Sequence, residues 1–170
     1  RGGGGGNFGI VTSFEYQLHE VGPRVLNVSF LYPISDAKEV LNFYFDFNMN
    51  TPDDLYIGAG LAIPPGEPGF VMISGCYFGD FEEGERVVEP LRRFGNPMFS
   101  YVGPIEYVEM QSRNDRNNVH GNYYYAKSGF FTDIETAVID NAVDRFAGTA
   151  SRRTLLLISP FGGAVSRVAD

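Results

Sequence analysis

The fold is decided by residues 55–78, which read LYIGAGLAIPPGEPGFVMISGCYF. On either side of the central loop, apolar residues alternate with other residues, and this period of two is typical of β-strands. The loop itself, residues 64–69, is a rigid reversal because it is built from prolines and glycines. The sequence therefore predicts strands at 55–63 and 70–78, joined as a hairpin.

A strand and a helix are predicted before this hairpin. Residues 25–31 form an apolar strand, and Asp36 is placed as the N-cap of the helix, with Glu39 three residues later. The apolar positions of this helix recur at the spacing that puts them on one face. They are Ala37, Val40, Leu41, Tyr44 and Phe47.

A second helix and a short strand, residues 98–102, are predicted after the hairpin. Gly95 ends this helix, and Pro90 lies inside it, where it removes one backbone hydrogen bond. The apolar face consists of Phe81, Val87, Val88, Leu91 and Phe94. The resulting order, β-α-β-β-α-β, is ferredoxin-like and predicts an α+β fold, with an antiparallel sheet and helices packed on one face.

Further elements are predicted on both sides of this unit. A short helix at 104–114 is followed by a β-α-β extension: a strand at 121–128, a helix after the capping box of Thr132 and Glu135, and a strand at 153–160. Residues 10–18 alternate as a strand, and the break at residues 21–23 marks a domain boundary. The chain is therefore divided into residues 1–22 and residues 23–170.

One face of the sheet is expected to be open. In the strand 55–63, the larger apolar residues point towards the helices, and Tyr56, Gly58, Gly60 and Ala62 point away from them. Gly75 and Tyr77 of the partner strand are assigned to the same outward face. Small residues and tyrosines leave room for a flat ligand, although the glycines also fit a role in sheet twist or bulges.

Composition and charge exclude several functions. The net charge of −8 argues against nucleic acid or an anionic membrane surface as a partner. No apolar run approaches the roughly 20 residues that a membrane span needs. The two histidines, His19 and His120, lack other ligands at metal-binding spacing, so no metal site is expected. The single cysteine cannot form an internal disulfide, so it does not indicate the redox compartment. We expect a soluble protein that is either cytoplasmic or secreted.

The N-terminal glycine run, residues 2–6, is a segment whose backbone can lie directly against a ligand, because glycine has no Cβ. Residues 4–9 match the pattern G-x-G-x-x-G, but the dinucleotide-binding motif needs a strand before it and a helix after it. Here an extended segment follows, and no Lys-Ser/Thr pair completes a phosphate-binding loop. A flexible leader is the alternative interpretation.

The segment 123–128, YYYAKS, is the best internal candidate for chemistry. If it forms a strand, Tyr123, Tyr125 and Lys127 share one face. Tyrosine offers both an apolar ring and a hydrogen-bonding hydroxyl, which suits a polar, electron-accepting ligand. The alternative is that Lys127 pairs with a carboxylate at a sheet edge.

Four motifs in order resemble the berberine-bridge-enzyme-like FAD-linked oxidases, which are flavoproteins of the vanillyl-alcohol-oxidase type. They are residues 1–16, RGGGGGNFGIVTSFEY; residues 107–111, YVEMQ; residues 124–128, YYAKS; and residues 159–163, SPFGG. The resemblance implies that residues 1–22 end an FAD-binding domain and that residues 23–170 form the substrate-binding domain. The FAD domain of the same parent chain is then the missing partner, and a small molecule is the substrate.

The resemblance also implies a reaction and a set of site residues. The parent enzyme would transfer hydride from an alcohol, sugar or amine carbon to FAD, with dioxygen as the final acceptor. Six residues would approach the cofactor through their backbone: Gly4, Gly5, Gly6, Asn7, Phe8 and Gly9. The catalytic candidates are Tyr123, Tyr125 and Lys127, with a tyrosine as the base and Lys127 lowering its pKa. Tyr77 and Ser159 are assigned to substrate binding.

Two expectations concern the chain on its own. Without the FAD domain, residues 1–170 are expected neither to retain FAD nor to be catalytically competent. The alternative function is non-catalytic: a free-standing ferredoxin-like ligand-binding domain, or a domain that forms a homodimer through its open sheet face.

Overall fold

The structure is a computed structural model. It describes residues 6, 8–115, 120–131, 134–149, 151, 153–163 and 167.

The described residues form these strands and α-helices, in chain order: β1 (Arg24–Pro33), α1 (Ala37–Asn48), β2 (Leu55–Ala62), β3 (Phe70–Tyr77), α2 (Phe81–Arg93), β4 (Phe99–Glu106), α3 (Tyr107–Ser112), α4 (Thr136–Ala147) and β5 (Leu155–Ile158). The strands make one antiparallel sheet in the order β4-β1-β3-β2-β5. This confirms the α+β fold and the β-α-β-β-α-β order of the central unit.

The main core lies between one face of the sheet and the helices α1, α2 and α4. Alternate residues of β1 point into it, namely Leu26, Val28, Phe30 and Tyr32, all of which are buried. The helices contribute Val40, Leu41 and Tyr44 from α1, Val88 and Leu91 from α2, and Ile139 and Phe146 from α4. Burial of this apolar surface is the main source of stability.

A smaller cluster lies on the opposite face of the sheet, at one end. Val25, Cys76 and Ile105 are buried there, and Tyr107 and Met110 of α3 pack against them. The sheet is therefore covered by three helices on one face, whereas the short α3 covers only one end of the other face.

Local signals at the ends of α1 and α2 agree with the structure. The Asp80 carboxylate accepts a hydrogen bond from the Glu83 backbone N–H at 3.0 Å, so Asp80 caps α2. Pro90 lies inside α2, and Gly95 follows the helix with a φ of +57°. Asp36 is the N-cap residue of α1, as expected, but its side chain makes no capping hydrogen bond to a described residue.

Two predicted strands are wrong. Residues 10–18 and 121–128 contain no strand, so the expected β-α-β extension lacks its first strand. The physical reason is that alternation produces a strand only where a neighbouring strand supplies hydrogen bonds and one side becomes buried. In these segments the side chains are exposed; Ile10, for example, is 93% exposed.

Other boundaries also differ from the sequence prediction. β4 continues to Glu106 instead of ending at 102, so α3 begins at Tyr107. β5 has four residues, not the eight of the predicted strand 153–160. Helix α4 begins at Thr136 with Glu135 as its N-cap residue, so the predicted capping box is wrong; Thr132 itself lies outside the described residues.

Candidate ligand-binding face

The strand register divides the sheet into two faces. In β2, Ile57, Ala59 and Leu61 point into the main core, as expected. Residues of the other parity form the face away from α1, α2 and α4, which we call the open face. Its members on the four longer strands are Val25, Asn27, Ser29, Leu31, Tyr56, Gly58, Gly60, Ala62, Phe70, Met72, Ser74, Cys76, Phe99, Tyr101, Gly103 and Ile105.

A row of small and polar residues crosses the open face. The register pairs Tyr101 with Ser29, Ser29 with Ser74, and Ser74 with Gly58. We call these four residues the polar row. Ser29 and Ser74 are half-buried, and Tyr101 is 41% exposed. Three residues that carry hydroxyl groups therefore lie side by side on adjacent strands.

Apolar residues flank the polar row on one side. Phe99, Leu31, Met72 and Gly60 form the next row, again in register across the four strands. Leu157 of β5 continues this row, because it pairs with Gly60, and it is 66% exposed. The open face thus combines a hydroxyl-bearing strip with an apolar strip, a mixture that is common in small-molecule sites.

Asn27 lies on the other side of the polar row and is 5% exposed. It pairs with Gly103 of β4 and with Cys76 of β3. Its Oδ1 accepts a hydrogen bond from the Arg113 guanidinium, with 3.4 Å between Nη1 and Oδ1. Its Nδ2 has no hydrogen-bond partner among the described residues. A buried amide donor without a partner is uncommon in folded proteins.

Tyr101 folds over the strand beside Asn27. Its hydroxyl oxygen lies 2.9 Å from the point where a Cβ on Gly103 would stand, so a larger residue at 103 would displace the ring. The Tyr101 hydroxyl donates a long hydrogen bond, 3.4 Å, to the Pro104 carbonyl oxygen. Gly103 therefore sets the position of the phenol ring at the end of the polar row.

The open face carries no charged side chain among the members named above. Burial raises the pKa of the Cys76 thiol to about 11, so this group is also neutral at ordinary pH. An uncharged sheet surface with small side chains has room for a flat, neutral ligand.

The structure describes only part of the predicted cofactor loop. Gly4, Gly5 and Asn7 lie outside the described residues. Gly6 and Gly9 have φ angles of +83° and +145°, which only glycine adopts easily. Phe8 is 91% exposed. A cofactor role for residues 4–9 remains a prediction.

The predicted catalytic tyrosines and lysine do not form the expected strand face. Tyr123 and Tyr125 are 105% and 85% exposed, so they are not packed against the sheet. Lys127 Nζ lies 5.9 Å from the centre of the Tyr125 ring, which is a cation–π distance. The structure brings Tyr125 and Lys127 together, and the catalytic roles of all three residues remain predictions.

Tyr77 is not on the open face, so that placement is wrong. Its ring lies in the main core beneath α2, where a Cβ on Gly84 would come within 2.7 Å of its Cδ1 atom. Desolvation raises the pKa of its hydroxyl. The reason is register: Val71 and Ile73 point to the helices, and Gly75 and Tyr77 continue the same parity in β3.

Ser159 directly follows β5 and is exposed. Ala59 pairs with Ile158, and a Cβ on Gly58 would stand 3.0 Å from the Ile158 carbonyl oxygen. Ser159 therefore lies close to the Gly58 end of the polar row. Its assignment to substrate binding stays a prediction.

Sequence reasoning missed Asn27, Ser29, Ser74 and Tyr101. A signal was present in the first strand: Asn27 and Ser29 are the polar residues of a run in which Leu26, Val28 and Phe30 are apolar. Polar residues at every second position of a central strand indicate that one face of the sheet lies outside the apolar core. The row across the sheet could not be found in this way, because it depends on the register between strands.

The described residues contain no group of three or more His, Cys, Asp and Glu side chains that could hold a metal ion. None of the helices in the described part of the chain has the length and apolar character needed to cross a bilayer.

Relatives of this chain were found by sequence comparison, although no protein-family model matches it. An FAD-linked oxidoreductase of Dictyostelium discoideum is 28% identical over 166 residues, which cover 96% of this chain and 35% of that protein. Two Bacillus subtilis proteins named as uncharacterized FAD-linked oxidoreductases, YgaK and YvdP, are 25% and 23% identical; each alignment covers 99% of this chain and 37% or 38% of the relative.

The chain spans about a third of the length of these relatives. Their names support an FAD-linked oxidoreductase family for this chain and an oxidoreductase as its parent. FAD is therefore the expected cofactor of the parent protein, and retention of FAD by these 170 residues alone is not expected.

Proposed function

We propose that residues 23–170 are the substrate-binding part of an FAD-linked oxidoreductase of the berberine-bridge-enzyme-like type. The observation that carries this proposal is the open face: an uncharged sheet surface crossed by a row of hydroxyl-bearing residues. The names of the relatives support redox chemistry with FAD. We assign the open face as the surface that holds a flat ligand and a small substrate.

The chemistry that FAD supplies when bound is acceptance of a hydride from an alcohol, sugar or amine carbon, with dioxygen proposed as the final acceptor. This chain's residues bind and orient the substrate. The hydroxyls of Ser29, Ser74 and Tyr101 exchange hydrogen bonds with its oxygen or nitrogen atoms. Phe99 and Met72 cover its apolar part and exclude water from that side.

Proton transfer is assigned to the tyrosine segment. Loss of hydride from an alcohol carbon must be accompanied by loss of the hydroxyl proton, and Tyr123 or Tyr125 would accept it as a tyrosinate. The Lys127 ammonium lies 5.9 Å from the centre of the Tyr125 ring, which is a cation–π distance. Ser159 would add a further hydroxyl beside Gly58, and the backbone of residues 4–9 would approach the cofactor.

The test is to map where a flavin binds. We expect millimolar FMN added to the ¹⁵N-labelled chain to shift the amide resonances of Ser29, Tyr56, Ser74 and Tyr101. Lys38, on the exposed side of the helix layer, serves as an internal control and should not shift. Inorganic phosphate at the same concentration controls for the charge of FMN. Shifts confined to the helix layer, or none at 5 mM, would refute the proposal.

A second candidate function is self-association through the open face. Phe99, Leu155 and Leu157 are each more than half exposed, and contiguous apolar surface of this kind marks partner sites. Sedimentation equilibrium distinguishes the two functions. A homodimer that FMN does not perturb would favour self-association, and a monomer at high concentration would exclude it.

A further inference from the structure

We propose that Asn27 accepts an N-linked glycan in the unfolded chain, and that this modification prevents the chain from folding. Residues 27–29 read Asn-Val-Ser, which is the triplet Asn-x-Ser/Thr that N-glycosylation requires. No other triplet of this kind occurs in the 170 residues. The inference is independent of the proposed function, because it concerns how the chain reaches its native structure.

The triplet lies in the middle of the sheet. Acceptor asparagines normally lie in surface loops, because the glycan is bulky and projects into solvent. Asn27 instead lies in β1, between β3 and β4, where it pairs with Cys76 and Gly103. Its side chain is 5% exposed. In the folded chain, a glycosylating enzyme therefore has no access to this triplet.

The atom that would carry the sugar is itself buried. An N-linked glycan is attached to the asparagine Nδ2, and Nδ2 of Asn27 is enclosed by the fold. Its Oδ1 faces the Arg113 guanidinium, which can only donate, so the two ends of the amide cannot exchange without loss of this hydrogen bond. The Tyr101 ring lies over Gly103 beside it. A sugar on Nδ2 would have to displace this ring or separate β4 from β1.

The unfolded chain presents the same triplet freely. The strands that cover Asn27 come later in the chain, because β3 begins at Phe70 and β4 ends at Glu106. A chain that crosses a membrane unfolded therefore exposes the triplet before these strands pair with it. In the reaction, Nδ2 loses a proton and forms a bond to C1 of the first sugar. The bond between C1 and the diphosphate of a lipid-linked oligosaccharide breaks, and the lipid diphosphate leaves.

The glycan and the native sheet exclude each other at this position. Insertion of even a few extra atoms into a packed site forces backbone shifts, and a glycan is far larger. Displacement of β4 would also open the small cluster of Val25, Cys76 and Ile105. The native structure therefore requires synthesis under conditions in which Asn27 is not modified.

The test is translation of the full chain, fused to a cleavable signal peptide, in the presence of microsomes. The microsomes supply the transferase and the lipid-linked oligosaccharide. The comparison is Ser29→Ala, which destroys the triplet but keeps Asn27 and its contacts. Glycosylation is measured as a gel shift that endoglycosidase H reverses. We expect this shift for the original chain and none for Ser29→Ala.

Limited proteolysis of the same samples measures folding. Glycosylated and unmodified molecules of the original chain separate on the gel, so their cleavage rates are compared within one sample. We expect the glycosylated molecules to be cleaved at least about tenfold faster, because cleavage follows the population of the open form. The Ser29→Ala chain should be cleaved as slowly as the unmodified molecules.

A second triplet in an exposed segment is the matched control. Tyr124→Thr in the Ser29→Ala chain makes residues 122–124 an Asn-Tyr-Thr triplet, and both Asn122 and Tyr124 are exposed. A glycan on Asn122 should leave the cleavage rate unchanged. If it accelerates cleavage as much as the glycan on Asn27 does, the effect does not depend on the buried position, and the inference is wrong.

A second measurement starts from the folded protein. The purified chain and a peptide of residues 20–34 are each incubated with the transferase and the lipid-linked oligosaccharide. We expect modification of the peptide and none of the folded chain. Equal modification of the two would overturn the inference. So would protease resistance of the chain glycosylated at Asn27, or the absence of a gel shift in microsomes that process the signal peptide.

Discussion

Gly84→Ala tests the packing of Tyr77 beneath α2. Two effects of opposite sign act at this position. Replacing a glycine inside a helix by alanine stabilises the helix by about 1 kcal/mol, because alanine has the higher helix propensity. The new Cβ, however, would stand 2.7 Å from Tyr77 Cδ1 and 2.8 Å from Leu26 Cδ2. Overpacking of this kind costs about 1–3 kcal/mol.

We therefore expect Gly84→Ala to lower the free energy of unfolding by about 1 kcal/mol. The assay is urea unfolding followed by circular dichroism, from which the midpoint and slope give that free energy. The same substitution is then made in a Tyr77→Ala chain, where the ring that clashes with Cβ is gone. Its effect there should become smaller by about 1 kcal/mol or change sign.

Tyr56→Ala supplies the matched background, because Tyr56 is a tyrosine of the open face and is 47% exposed. In this background Gly84→Ala should cost as much as in the original chain, since the two residues lie on opposite faces of the sheet. Equal costs in the Tyr77→Ala and Tyr56→Ala backgrounds would refute the placement of Tyr77 in the main core.

Three further predictions follow from single contacts. Burial raises the pKa of Cys76 from 9.0 to about 11, so the native thiol should react slowly with a disulfide reagent at pH 8. Because the unfolded chain loses its thiol proton first, the free energy of unfolding should fall as the pH rises from 9 to 11 in urea titrations, more steeply than in Cys76→Ala. Tyr44→Phe removes a buried hydrogen bond of 3.1 Å to the Ile57 carbonyl oxygen and should cost about 1 kcal/mol of unfolding free energy. Asp80→Ala removes the cap on the Glu83 N–H and should cost a similar amount, about 1 kcal/mol, whereas Asp80→Asn should retain most of it.

The central fold could be predicted because each element carries its own local signal. The period of two around the loop at 64–69 predicts β2 and β3, and the apolar spacing and Gly95 predict α2 and its C-terminal end. These signals depend on residues close in sequence, so they do not need the tertiary structure.

The faces of the sheet needed more than local periodicity. Alternation in β3 separates Ile73 and Tyr77 from Ser74, but it does not say which set meets the small residues of β2. That assignment depends on the register between strands, and a shift of one residue exchanges the two faces.

The tyrosine segment shows the other limit of sequence reasoning. Residues 121–128 have the composition of a strand, yet no strand forms there in the structure. Strand propensity mainly reflects how well side chains pack on a neighbouring strand. A segment that has no neighbouring strand therefore does not form a strand, even when its composition favours one. The site residues assigned from this segment therefore depend on contacts that local sequence does not specify.

The position of β1 in the sheet has a consequence for synthesis on the ribosome. β1 is the first strand of the sheet to be made, but it pairs with β3 and β4, and its second partner is complete only at Glu106. At ordinary translation speeds, roughly 4–15 s pass between the synthesis of β1 and the completion of β4, so β1 lacks at least one of its two partner strands during that time. During that time we expect its exposed apolar side chains to favour chaperone binding or aggregation.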